Sequence, residues 1–387
     1  MSLPLASPFP LHHETTRSDS SLQGGEGILS YFRHCLDEKR KAMATQLHSL
    51  CKKHALPEEV GDAFAAALAT KGKGFRPLLF LAAYFSAGGR PVSGLYITAQ
   101  SIEFMHDFIL IHDDIIDRSA LRRGKPTLRR ALEENLRNTG LAGRFDDIAM
   151  VLGDMVYAFA IESFLTVRLT PLRKEKALRQ FTGAAQSTGA GQLKELALAC
   201  CEIAHVTRDR VYEIYDLKTG CYSFAAPLAA GAILAGAPHR HVKNVYDAGL
   251  ELGRAFQLID DMIDIMGTEQ TNGKNAQKDF SQGIITVPLL YMYEKAQACG
   301  NERVCRIFSN KHADERKYAI LRQWSHRIDL PDRISRMQKD HTCRALEQLS
   351  CLKQFSSMAP TIEILMNRMF SAAEKIFRSV DLPKEAR

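Results

Sequence analysis

From Ile28 onward, apolar residues return at intervals of three and four, the spacing that gathers them on one face of a helix. The stretch "ILSYFRHCLDEKRKAMATQLHSLCKK" predicts an amphipathic helix, and Ala/Leu-rich segments from "RPLLFLAAYFSAGG" onward end at Gly or Pro. Three later segments, "GLYITAQSIEFMHDFILIHDDIID", "YDLKTGCYSFAAPLAAGAILAG" and "YDAGLELGRAFQLIDDMIDIMG", are apolar around much of their circumference, which predicts helices surrounded by other helices. Breaks fall at "AGGRPVSG", "RRGKPT", "NTGLAGRFDD", "LAGAPHRH" and "GTEQTNGKNAQKDFSQG". No alternating run bounded by hairpin turns predicts a strand. The expectation is an all-α chain with a disordered leader over residues 1–27 and one helical bundle domain over 28–387.

Composition refines this picture only at its edges. A hydrophobic share of 45% over 387 residues suits a globule with a real core. The formal net charge of +7 fits a solvated basic surface, or attraction to anionic substrates or an anionic membrane surface, and no nucleic-acid-binding signature accompanies it. The nine cysteines, Cys200 and Cys201 adjacent among them, lack CxxC spacing and read as small buried hydrophobes in a reducing compartment, the cytoplasm. No run approaches the roughly 20 apolar residues of a transmembrane segment.

Chemistry concentrates in two acidic repeats. In "LIHDDIIDRSALRRG", Asp113 and Asp117 stand one helical turn apart, with Asp114 beside them. In "FQLIDDMIDIMG", Asp260, Asp261 and Asp264 repeat the spacing. One such repeat reads as a solvated acidic face; two, each inside an apolar helix, need a counter-charge. Hard oxygen ligands offered one or two at a time suit Mg²⁺, which bridges carboxylates to substrate phosphates. Two such walls would grip a diphosphate and ease its departure. Arg122 and Arg123 add guanidinium forks that suit phosphate oxygens, although a solvated loop accounts for them equally well.

These residues resemble the trans-isoprenyl diphosphate (polyprenyl) synthases. The resemblance runs from about Leu68 to Tyr293 through "GKGFRP", "HDFILIHDDIIDRSALRRGKPT", "LGDMVYAFA", "GQLKE", "LKTG", "AFQLIDDMID" and "GKNAQKDFSQGIITVPLLY" in order. It implies an all-α bundle of antiparallel helices around a deep central cavity, a homodimer, and three Mg²⁺ ions between the acid-rich helices. Asp113, Asp117 and Asp260 would bind metal, while Asp114, Asp261 and Asp264 would support charge and metal-bound water. Arg122, Lys218, Thr219, Gln257 and Lys274 match grips for an allylic diphosphate. Lys73, Arg76, His106 and Arg123 match a metal-free pocket for isopentenyl diphosphate. Gln192 and Glu195 match a further motif, with Glu in place of the commoner Asp. The implied reaction ionises the allylic diphosphate, adds the isopentenyl double bond to the cation, and loses a proton to the departing pyrophosphate.

Two positions depart from the family pattern: Gly74 stands for a usual Arg or Lys, and Ile284 for a common lysine. Neither removes a metal ligand. Phe108 and Ile109 lie about one helical turn before Asp113, where an aromatic would stop a growing chain at intermediate length, C20 with C15 next. Ordinary core packing is the alternative for Phe108, as it is for His106. A class I terpene cyclase would normally lack the second DDxxD and the basic residues Lys73 and Arg76. A noncatalytic partner subunit could lose acids without losing its fold, whereas all six are present here.

Overall fold

The computed structural model describes residues 25–69, 72, 74–122, 124–266, 278–309, 315–350 and 362–368. Helix α1 (Gly25–Lys53) already includes residues 25–27 of the expected leader; the rest of the leader lies outside the described residues. Then come α2 (Glu58–Leu68), α3 (Phe75–Ser86), α4 (Leu95–Ile116), α5 (Leu128–Leu136), α6 (Phe145–Phe164) and α7 (Pro171–Ala199). After α8 (Arg208–Ile214), the chain continues without a break through a π-helical segment (Tyr215–Ala225) into α9 (Ala226–Ala235). Helices α10 (His239–Met266), α11 (Lys278–Ser281), α12 (Val287–Ala298), α13 (Glu302–Ser309), α14 (Glu315–Arg327) and α15 (Leu330–Ser350) follow.

Local chemistry sets several of these boundaries. Thr127 caps α5 by accepting from the Arg130 amide at 3.2 Å, and Thr286 caps α12. Pro171 opens α7, where the missing N–H costs nothing, and Gly236 closes α9 in the left-handed region at φ 91°. The chain is all-α, with one correction to the sequence reading. At "RRGKPT", where only a break was expected, Leu121–Arg122 pairs antiparallel with Lys125–Pro126 in a two-residue ladder. Gly124 makes the turn at φ 75°.

One hydrophobic core joins α1 to α6 with α9 and the first half of α10, through the buried rings of Phe64, Phe80, Phe104 and Phe164. Each such ring contributes about 1.5–3 kcal/mol of transfer free energy. A second core, under α12 to α14, receives Leu258, Met262 and Ile265 from the far half of α10. Helix α10 therefore belongs to both cores, so its acidic repeat is held on a rigid element. Helix α4 packs along α6, pinned where the Thr98 hydroxyl donates to the Phe164 carbonyl at 2.9 Å.

The π-helical course is the main departure from the apolar pattern, which predicts an ordinary helix there. Its turns are wider than those of an α-helix, and such turns are frequent at functional sites. Glycines let its neighbours close in. A Cβ at Gly191 of α7 would stand 2.6 Å from the Lys218 amide nitrogen, and one at Gly253 of α10 would stand 2.3 Å from the Gly220 Cα. The "GQLKE" glycine thus brings α7 against the backbone of Lys218.

Candidate active site

The first acidic wall is the C-terminal end of α4. Asp114 is buried and is gripped by Arg122, whose Nε and Nη2 both donate to Oδ1, at 3.0 and 2.7 Å. Arg122 Nη2 also reaches Asp113 Oδ2 at 3.2 Å. The short ladder carries Arg122 back over the helix that ends just before it. Burial disfavours the Arg122 charge, but the hydrogen bonds and charges of Asp114, with that of Asp113, outweigh it and raise its pKa. Asp113 and Asp117 stay half-buried.

Lys218 approaches from the π-helical segment. Its Nζ donates to Glu195 Oε2 at 2.5 Å and lies 3.7 Å from Asp113 Oδ1. Burial alone would lower its pKa; Glu195 and Asp113 overcome that, and the ammonium is held above its ordinary value. Burial pushes the Glu195 carboxyl up, Lys218 pulls it down, and Asp113 and Asp117 push it up again, for a net rise. A half-buried lysine held by carboxylates is the pairing that a largely apolar segment requires.

The second wall is the end of α10. Asp261 is buried, with both oxygens engaged: Tyr215 donates to Oδ2, and Gln257 Nε2 to Oδ1 at 2.7 Å. Thr219 Oγ1 in turn donates to Gln257 Oε1 at 2.8 Å. Asp260 is exposed and Asp264 half-buried, and Asp264 accepts the Asp279 amide at 3.2 Å. Asp279 is a fourth acid of this wall. Burial, then the charges of Asp264, Asp261 and Asp260, raise its carboxyl well above the usual range, and Glu195 adds to the effect. Adjacent residues of the π-helical segment therefore reach both walls: Lys218 lies 3.7 Å from Asp113, and Thr219 reaches Asp261 through Gln257.

In both triads the middle aspartate, Asp114 or Asp261, is buried and committed to protein donors, while the outer members keep contact with solvent. Every donor is a carboxylate oxygen, which fits a hard cation. No three His, Cys, Asp or Glu among the described residues form a ready-made cage.

Two of the basic positions matched to an isopentenyl pocket also come together. Arg76, buried at the start of α3, donates from Nη2 to Ser223 Oγ at 2.9 Å and to Tyr222 Oη at 3.2 Å. The Tyr222 hydroxyl lies 3.4 Å from His106 Nδ1. Gln192 is half-buried on α7, three residues before Glu195. Lys73, Arg123 and Lys274 lie outside the described residues. Gly74, the first departure, begins α3 at φ 60°, a conformation that favours glycine over Arg or Lys. Ile284, the second, borders a cavity of about 260 Å³ with Phe280, Ile285 and Leu289.

Phe108 and Ile109 are half-buried on α4. The Phe108 ring meets His112 edge-on at 4.7 Å and Tyr157 of α6 at 4.8 Å between centroids. Sequence reasoning missed Tyr215, Tyr222, Ser223 and Asp279. Asp279 lies within the family landmark "GKNAQKDFSQGIITVPLLY", whereas Tyr215, Tyr222 and Ser223 lie in a segment whose pattern predicts only an apolar helix.

A family model described as polyprenyl synthetase matches residues 57–323. A short chain isoprenyl diphosphate synthase of Methanothermobacter thermautotrophicus is 28% identical over 77% of this chain and 86% of its own. The farnesyl diphosphate synthase of Geobacillus stearothermophilus is 30% identical over 66% of this chain and 82% of its own. The fold matches a solved geranylgeranyl pyrophosphate synthase from Corynebacterium glutamicum, complexed with isoprenyl diphosphate and magnesium. The TM-score is 0.75, with 24% identity over 87% of this chain and 98% of that one.

Proposed function

The chain belongs to the polyprenyl synthetase family, and on that premise we propose that it condenses isopentenyl diphosphate with an allylic diphosphate. The product is a linear trans prenyl diphosphate, C20 with C15 as the next candidate. One relationship carries this reading: the adjacent residues Lys218 and Thr219 reach the two triads, Lys218 at 3.7 Å from Asp113 and Thr219 through Gln257 to Asp261, which supports a single substrate gap between them.

Asp113, Asp117 and Asp260 hold Mg²⁺, three ions by the family resemblance, with Asp114, Asp261 and Asp264 in support. When bound there, Mg²⁺ neutralises the charge that develops on the departing pyrophosphate. Arg122 and Lys218 supply fixed positive charge beside the first wall, and Thr219 and Gln257 orient the allylic group. Lys274 adds a cation at this diphosphate. Arg76 and His106, with Lys73 and Arg123, bind isopentenyl diphosphate without metal. The apolar wall below keeps water from the allylic cation. Phe108 and Ile109 set the floor.

The protein works as a cytoplasmic homodimer. Exposed apolar side chains on α6 (Met150, Val151), just after it (Leu165) and on α7 (Leu172, Leu193, Leu196) support a second copy as their partner. Among the described residues no helix is long and apolar enough to cross a membrane.

The test incubates purified protein with Mg²⁺, labelled isopentenyl diphosphate and each of the C5, C10 and C15 allylic diphosphates, then sizes the dephosphorylated products. Chain extension supports the reading. A cyclic hydrocarbon would make it a terpene cyclase, and inactivity until a second protein is added would make it a subunit.

A further inference from the structure

We propose that Tyr215 is a positioning residue for the second acidic wall, acting on bound metal through Asp261. This rests on the reading of the site given above. Tyr215 is buried, and its hydroxyl joins two elements. It accepts from the Val287 amide at 2.9 Å and donates to Asp261 Oδ2. The direction is forced. An amide can only donate and an ionised carboxylate can only accept, so the phenol oxygen takes the Val287 N–H and gives its own proton to Asp261. The other carboxylate oxygen accepts from Gln257, whose amide oxygen accepts from the Thr219 hydroxyl.

Asp261 is therefore clamped between two donors of fixed polarity, one from the π-helical segment and one from its own helix. Its plane and rotamer are set before any ligand arrives. Asp260 and Asp264 are its neighbours along α10, so the clamp fixes the buried member of the triad beside the carboxylates that retain solvent contact. Without the phenol hydroxyl, Asp261 Oδ2 and the Val287 amide would both be left without that partner inside the protein. Asp261 would then turn toward the cation or toward water, and the arrangement offered to metal would loosen. Partners that orient metal-binding carboxylates typically matter about 10- to 100-fold in metal affinity.

The experiment reads metal binding directly. Mn²⁺ is titrated into the full chain in the presence of inorganic pyrophosphate, and free Mn²⁺ is followed by electron paramagnetic resonance. Tyr215→Phe weakens Mn²⁺ about tenfold or more. Tyr212→Phe is the control: its ring lies 5.8 Å from that of Tyr215, but its hydroxyl lies near His341, and Mn²⁺ affinity stays within about twofold. Tyr215→Met is a second variant without the hydroxyl, and its flexible apolar side chain can refill the space of the ring. Mn²⁺ weakens about tenfold or more in that variant as well.

Thermal unfolding confirms that each variant is folded, and if Tyr215→Phe is not, Tyr215→Met decides in the same titration. Unchanged affinity in the folded Tyr215→Phe protein overturns the proposal, as does equal weakening by Tyr212→Phe. Wild-type protein that binds no Mn²⁺ with pyrophosphate overturns both this proposal and the reading of the site.

Discussion

Phe108 of α4 lies against Tyr157 of α6, with ring centroids 4.8 Å apart and planes tilted by 37°. The two rings join the helix that carries the first acidic triad to its neighbour, close to one turn before Asp113. Phe108 also meets His112, whose Nδ1 lies 3.1 Å from the Phe108 carbonyl oxygen. The aromatic ring is thus fixed on two sides, which suits a floor that must resist a growing apolar chain.

Phe108→Ala removes that floor. The product distribution shifts to chains longer by one or more isoprene units, read by sizing dephosphorylated products. Stability falls by about 1–3 kcal/mol, below the cost at a fully buried site because Phe108 is only half-buried. An unchanged distribution would return Phe108 to ordinary core packing.

Glu251 centres a charge network that ties α15 to α10 and the π-helical segment. It accepts from Arg254 Nη1 at 2.9 Å and Arg344 Nε at 2.9 Å, and pairs with His341 Nδ1 at 2.7 Å. Arg254 also clamps Asp216, two residues before Lys218, at 2.7 and 2.6 Å. Burial alone would raise the Glu251 pKa; hydrogen bonds with His341 and Arg344 outweigh it and hold it at about 2, against 4.5 in a free chain. A depressed carboxyl stabilises the fold above the ordinary pKa and loses that contribution as pH falls. Glu251→Gln therefore lowers stability at neutral pH by roughly 2 kcal/mol. In urea unfolding, the gap to wild type narrows as pH drops from 4.5 toward 2.

Arg40 joins α1 to α4 through a buried ion pair with Asp107 at 2.5 Å, and also donates to the Leu68 carbonyl at 3.1 Å. Its guanidinium stacks 4.5 Å from the centre of the Phe104 ring. Arg40→Met leaves Asp107 with one buried partner fewer and costs about 3 kcal/mol in urea unfolding. The double variant Arg40→Met, Asp107→Leu recovers part of that loss, because the pair goes whole while buried Glu103, on which the Arg40 charge also acts, remains.

Much of this was legible in the chain itself. The apolar spacing around Asp113 and Asp260 predicts helices, and α4 and α10 cover those stretches. What stayed hidden is what periodicity does not encode. A π-helical course keeps the same apolar residues as an α-helix while turning Lys218, Thr219 and Tyr215 to new directions. Tyr215 meets Asp261 across 46 residues and Val287 across 72, contacts that only the packed fold creates. Arg122 looked like a loop cation; the two-residue ladder that folds it over Asp114 is too short to leave an alternating pattern.

The central claim, that both acidic walls act on one diphosphate, is tested most directly by comparing turnover of Asp113→Asn, Asp260→Asn and the double variant. The assay uses labelled isopentenyl diphosphate, a C15 allylic diphosphate and saturating Mg²⁺. If the walls work as one unit, each single change costs about 10³-fold or more and the double variant loses little beyond either. Losses that multiply in the double variant, or an Asp260→Asn protein that turns over as wild type does, would contradict it.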